Sequence, residues 1–261
     1  MTQLFFQAKN FVSKRSLPKL SNVDDLLPNL EYEAYGHWVF ENTSDSLTDK
    51  VNNRLLALQN GATVQPVYSE SGVTISTALG NALVSDLSDT STQSVTETAV
   101  VKCNNTQLAI LLGNLVPSNS TTSSGLAGFA SAGKGYLTVK TTAAAGAGSG
   151  GISSLALASR HNQTTNFFIA ISVDKATKKG IIYVQQNSAE LTNEAVYTAP
   201  VYESALNNFA FGNNAYTGSN NPANTATFAE AIIFDKALTL DEIKAVATRS
   251  KNRMANRGII F

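Results

Sequence analysis

Carboxylates are the first place to look for chemistry in this chain, because ionisable groups are sparse. Lys and Arg number 19, Asp and Glu 19, and together they make up 15% of 261 residues. Hydrolysis of a glycosidic bond would need two carboxyls about 5 to 9 Å apart across a cleft. Asp86 and Asp89 lie in a Ser/Thr-rich stretch and read as turn residues. Glu230 stands in an apolar segment and reads as one salt-bridged or rim carboxylate. His37, beside Trp38, reads as a partly buried packing residue and His161 as a polar loop group. The two are too far apart in sequence to argue a pair. Cys103 is the sole cysteine, so no internal disulfide forms, and one cysteine with two histidines cannot build a thiolate zinc site. "GAGSGG" (146–151) lacks the strand-to-helix context of a phosphate loop, and no G-x-S-x-G elbow, Walker loop or dinucleotide fingerprint occurs. These spacings assemble no catalytic set.

Binding chemistry has a better candidate. "FGNNAYTGSNNPANTATF" (211–228) carries Tyr216 among Asn213, Asn214 and Asn220. An aromatic face beside amide side chains suits a sugar, whose ring stacks while its hydroxyls hydrogen-bond. The same residues also serve any long turn, so a ligand loop and a plain loop are both open readings.

The elements that must position these residues are mostly short strands. In "TNFFIAISVD", Phe167, Ile169, Ile171 and Val173 fall on one face, and Ala170 and Ser172 on the other. With the polar turn "DKATKKG" and the return strand "IIYVQQ", residues 165–186 read as a β-hairpin. "YGHWVF", "GYLTVKTT", "ISSLALAS", "LNNFAFGN" and "ATFAEAIIF" continue the series, and Asn60–Gly61 is a turn signal after "RLLAL". "PSNSTTSSG" and "TTAAAGAGSGG" are low in complexity and read as loops. The reading is one all-β, two-sheet sandwich over 31–261.

One helix closes it, over about 239–256. Thr239 and Glu242 stand in the capping-box relation, Leu238 and Ile243 where a hydrophobic staple would sit. Leu240, Ile243, Val246, Ala247 and Met254 form an apolar stripe, and Arg249, Lys251 and Arg253 suit the negative end of the helix. Gly258 is a stop. The stripe predicts a lid over sheet edges or an open sandwich end.

Residues 1–30 differ. Lys9, Lys14, Arg15 and Lys19 precede any acid, and Leu4, Phe5, Ala8, Phe11 and Val12 recur at helical spacing before Pro18 and Pro28. This arm packs on its own domain, docks on another subunit with Leu4, Phe5, Phe6 and Phe11 as the assembly residues, or, as the least favoured reading, binds nucleic acid through its four basic residues. A net charge of zero offers nucleic acid no long-range attraction. No apolar run reaches membrane-spanning length, and the opening residues lack the pattern of a signal peptide. The expectation is a protein made in the cytoplasm without export.

"FAEAIIFDKALTLDEIKAV" resembles the closing segment of concanavalin A-like jelly-roll domains of the laminin-G type. Phe228, Ile232, Ile233, Phe234, Leu238, Thr239, Glu242 and Ile243 match its places. The hairpin and "HWVFENTSDSLTDKVNNRLLALQNGATV" are similar to its central and opening strands. "IYVQQNS" departs from the D/N-G turn usual in the family, which leaves that loop's geometry open. The resemblance implies a jelly roll, a fold that hosts many functions. Its enzymes carry E-x-D-x-x-E on one strand, which is absent here. Its calcium-binding members direct attention to the oxygens of Asp45, Asp49 and Asn52, although no metal site is expected outright.

Together with the low-charge Asn/Ser/Thr/Ala composition and the arm, this leads to an expectation of a bacteriophage virion protein of tail, fibre or capsid surface, serving attachment. It would be homo-oligomeric, typically a trimer, among other virion proteins, with the "GIIF" end buried against neighbours. The alternative is a stand-alone carbohydrate-binding module or lectin recognising a cell-surface glycan.

Overall fold

The computed structural model describes residues 30–116, 124–144, 147–197, 201–202, 205 and 207–261; over 142–144, 147–154 and 201–202 it describes the backbone only. The strands run in chain order as β1 (Gly36–Val39), β2 (Ala57–Leu58), β3 (Val67–Ser69), β4 (Gly72–Ser76), β5 (Leu83–Ser88), β6 (Val95–Cys103), β7 (Ala109–Gly113) and β8 (Leu126–Ser131). Then come β9 (Lys134–Ala144), β10 (Ala147–Ala156), β11 (Phe167–Asp174), β12 (Lys179–Gln186), β13 (Ala189–Val196), β14 (Val201–Tyr202), β15 (Asn208–Phe211), β16 (Thr225–Phe234) and the helix α1 (Leu240–Ala255).

Two antiparallel eight-stranded sheets face each other. The first has the order β13-β12-β11-β6-β16-β4-β3, and β1 pairs with the end of β16 that β4 leaves free. The second has the order β10-β9-β8-β7-β15-β5-β2, with β14 alongside β9. Half of the neighbours in each order are consecutive strands and half are distant in sequence, the long connections of a jelly roll.

Period two explains the packing. Phe167, Ile169, Ile171 and Val173 point between the sheets, with Trp38, Phe211, Phe228 and Ile233. Phe168 and Ala170 point outward, yet are also buried, because α1 lies on that face. A strand covered on both sides has no polar face to show, which is why this segment is so apolar. The hairpin is present as β11–β12. The next turn replaces D-G with Asn187–Ser188: Gln186 and Ala189 are paired, and Asn187 takes φ 55°. Asn tolerates this left-handed conformation better than most residues, so the unusual sequence still makes a tight hairpin.

The helix begins as its punctuation predicts. Thr239 caps it, the Glu242 N–H donates to the Thr239 Oγ1 at 3.3 Å, and the Thr239 N–H donates to the Glu242 carboxylate at 2.7 Å. Its position differs from expectation. Ile243, Val246, Ala247 and Met254 pack on Phe168, Ile181, Tyr183 and Ile232. The helix therefore covers the outer face of the first sheet, not an edge or an open end, because that face itself is apolar. The chain end is corrected too. Gly258 at φ 73° turns the chain back, and Ile259 and Phe261 are buried in the same cluster, with Phe261 stacked 6.2 Å from Phe168. Only Ile260 of this tail points to solvent.

A buried ion network ties α1 down. Arg253 Nε donates to Glu230 Oε1 at 2.6 Å and its NH1 to Glu31 at 3.1 Å, while Arg249 forks onto both oxygens of Glu31 at 2.8 and 2.7 Å. His37 Nδ1 accepts the Glu31 N–H, so Nε2 carries the proton that it donates to Glu230 at 3.0 Å. Burial alone would raise the Glu230 pKa, but the His37 hydrogen bond and the Arg253 charge outweigh it and hold the carboxyl at about 2. Glu230 is thus the salt-bridged carboxylate its position suggested, and His37 is a fully buried member of its network.

Candidate functional site: an uncovered aromatic face

The outer face of the second sheet carries no helix among the described residues. Leu137 and Val139 of β9 point into the core, so Lys134, Tyr136, Thr138 and Lys140 alternate onto the outside. Phe129 of β8 is the cross-strand partner of Tyr136, and their half-buried rings stack at 4.8 Å and 8°. Ala132 and Gly133 join the strands with φ 49° and 73°, the two positive values of a tight type I′ hairpin, and so set the two rings side by side. Ile110, Leu115 and Ala127 form an apolar floor on the same face, and both Phe129 and Tyr216 pack against it.

Tyr216 therefore joins the aromatic pair on one surface. Its loop is held from within by Asn213, whose Oδ1 accepts the Tyr216 N–H at 2.8 Å. The Asn213 amide nitrogen faces the carbonyls of Tyr216, Ser219 and Thr77 at 2.9, 3.1 and 3.2 Å. Asn213 is fully buried and shapes the loop rather than facing solvent. Asn214 is half-buried and donates to the Asn208 carbonyl at 3.3 Å; Asn220 is exposed and donates to the Thr217 carbonyl. Ser219 ties the loop to Leu108, just before β7. The sequence reading found Tyr216 but missed Phe129 and Tyr136; one aromatic in each strand flanking "SAGKG" was the signal available.

Other candidates take different roles. Asp49 spends both carboxylate oxygens on backbone: Oδ1 accepts from Val51 at 2.7 Å and Asn52 at 2.8 Å, and Oδ2 from Arg54 at 2.5 Å. Asn52 turns its amide nitrogen to the Ala34 and Tyr35 carbonyls, and Asp45 is exposed. The set expected to offer oxygens to calcium is a turn clasp, and no group of three or more His, Cys, Asp or Glu fit for a metal occurs among the described residues. Asp86 is not a turn residue but an outward residue of β5, paired with Arg54 at 2.7 Å. Asp89, just past β5, is buried against Lys175. His161 is buried with its ring 4.4 Å from Phe167, and burial lowers its pKa to about 4. Burial likewise pushes the Cys103 thiol up to about 12, too high to supply a thiolate nucleophile. A cleft of about 380 Å³ lies between Leu30, Tyr32 and α1. Leu4, Phe5, Phe6 and Phe11 lie outside the described residues.

No family profile matches the chain, and no curated protein matches it by sequence. Solved structures share its fold. The receptor-binding domain of botulinum neurotoxin D superposes with a TM-score of 0.52 at 12% identity, over 84% of this chain and 53% of that one. The ligand-binding domain of botulinum neurotoxin serotype D, in complex with N-acetylneuraminic acid, gives 0.50 at 13%, over 83% and 51%. The CBM40 of the Ruminococcus gnavus IT-sialidase, bound to α2,3 sialyllactose, gives 0.46 at 14%, over 60% and 83%. The chain spans about half the length of the neurotoxin domains it resembles. The likeness is one of fold: a two-sheet β-sandwich.

Proposed function

We propose that this protein is a glycan-binding module of the lectin type, reading sugar on the open face of its second sheet. The observation that carries this is the Phe129–Tyr136 stack, joined by Tyr216 on a broad face that no helix covers among the described residues. Half-buried rings fixed by a hairpin and an apolar floor offer flat surface at little entropic cost. Asn214 and Asn220 carry amides on the same loop as Tyr216. Lys134 and Lys140 flank Tyr136 along β9 and suit a sugar that bears a carboxylate. The neurotoxin domain crystallised with N-acetylneuraminic acid shares this sandwich, which supports starting from that acid.

The comparisons support this reading better than the virion role, which rests on composition and the arm. If the arm assembles the chain through Leu4, Phe5, Phe6 and Phe11, the face becomes multivalent and weak sites add to avidity. The experiment is a glycan array followed by calorimetry with wild type and Tyr136→Ala. Selective binding that the substitution abolishes supports the module. Silence across the array, or binding indifferent to Tyr136, overturns it. Light scattering on the full chain and on one starting at Glu31 separately tests assembly by the arm.

A further inference from the structure

Inside the sandwich, away from the aromatic face, one group of side chains has no role in glycan binding. Lys175 follows Val173 at inward parity at the end of β11, and its side chain is 1% exposed. Its Nζ lies 2.7 Å from Asp89 Oδ1, and Asp89 belongs to the opposite sheet's β5 end, with a side chain 0% exposed. Nζ also donates to the Thr90 carbonyl and lies 5.8 Å from the centre of the Phe209 ring. Glu97 projects from β6 between Val95 and Ala99 into the same core, opposite Ile171 of β11, and is fully buried. Neither of its carboxyl oxygens has a hydrogen-bond partner among the described residues.

An ion pair and a lone glutamate are a costly way to fill a core. A covalent bond would remove both charges of the pair. We propose that Lys175 and Asp89 condense into an amide bond that staples the two sheets together.

The surroundings favour this step. Burial lowers the Lys175 pKa against the opposing pull of Asp89. Burial, followed by the nearby charge of Asp89, raises that of Glu97 well above the carboxylate range, so no second carboxylate charge competes for Nζ. A proton passes from the ammonium to Asp89 Oδ1 along their hydrogen bond, leaving a neutral amine and a neutral carboxylic acid. The Nζ lone pair attacks Cγ, and negative charge gathers on Oδ2, where the Ala205 N–H already donates at 2.9 Å. A second proton passes from Nζ to Oδ1 within the intermediate, and Oδ2 re-forms its double bond to Cγ. The C–N bond forms, the C–Oδ1 bond breaks, and one water leaves; nothing is oxidised or reduced. Two reactants held in contact replace a bimolecular encounter, and a core that excludes water protects the product from hydrolysis. The Arg253–Glu230 pair cannot follow this course, since a guanidinium stays protonated.

Intact-mass spectrometry of the purified, denatured full chain tests the bond. The expected mass is one water below that of the sequence. Trypsin should then yield a branched peptide joining residues 55–102 to 161–178, uncut at Lys175. The full sequence mass in folded wild-type protein overturns the proposal. Lys175→Arg is the control that pairs with Asp89 but cannot condense.

Discussion

Arg253 reaches Glu230 with Nε at 2.6 Å, joining helix α1 to the middle of β16 where both side chains are buried. The contact is a constraint more than a gain: each charge is tolerable only while the other stays. Arg253→Ala is therefore expected to cost about 3 to 5 kcal/mol, the range for stranding one member of a buried pair. Urea unfolding checks it. Lys236→Ala, which removes the exposed pair with Glu33, should leave the midpoint almost unmoved.

Acid should unfold the protein in two stages. His161 has its pKa lowered from 6.5 to about 4 by burial, so between those values the unfolded chain binds a proton that the folded chain refuses. Stability falls as pH drops through that window, and His161→Gln should flatten it. Glu230, lowered from 4.5 to about 2 against the cost of its burial, contributes fully above 4.5 and loses its contribution as pH falls toward 2. The difference between wild-type and variant melting temperatures across pH isolates each group from the rest.

Phe261→Ala should destabilise by about 3 kcal/mol, as expected for emptying a buried aromatic site. A melting temperature within a degree of wild type would mean that the tail's burial against Phe168 contributes nothing.

Asn213 and Tyr216 should separate structure from recognition. Asn213→Ala breaks buried hydrogen bonds to three carbonyls and one N–H, and a loss of about 1 to 3 kcal/mol is expected. Tyr216→Ala should change stability less and glycan binding more, with at least a tenfold loss of affinity, equivalent to about 1.4 kcal/mol. Thermal melts and calorimetry on the same two variants decide it.

What could be read in advance follows from range. The hairpin at 165–186 and the start of α1 at Thr239 depend on residues a few positions apart, and period two and the capping box report them directly. The face on which α1 lands depends on Val100, Phe168 and Ile181, spread over three strands, so no local pattern names it. Arg249 looked like a residue suited to a helix end because its partner, Glu31, lies 218 positions away. The aromatic face needed the pairing of β8 with β9 before Phe129 and Tyr136 became neighbours. Glu97 was invisible for a different reason. In sequence it looks like the polar position of an alternating strand, and only the sheet's inside-outside sense reveals that it points the wrong way for a charge.

Residue 31 is anchored to α1, and Phe261 lies beneath the same helix. Both described ends of the chain therefore attach on one side of the molecule, with the full thickness of the sandwich between them and the Phe129–Tyr136 stack. A tag, a surface or a neighbouring protein joined after Phe261 would leave the aromatic rings facing outward, so immobilisation through that terminus presents them to a ligand in free solution.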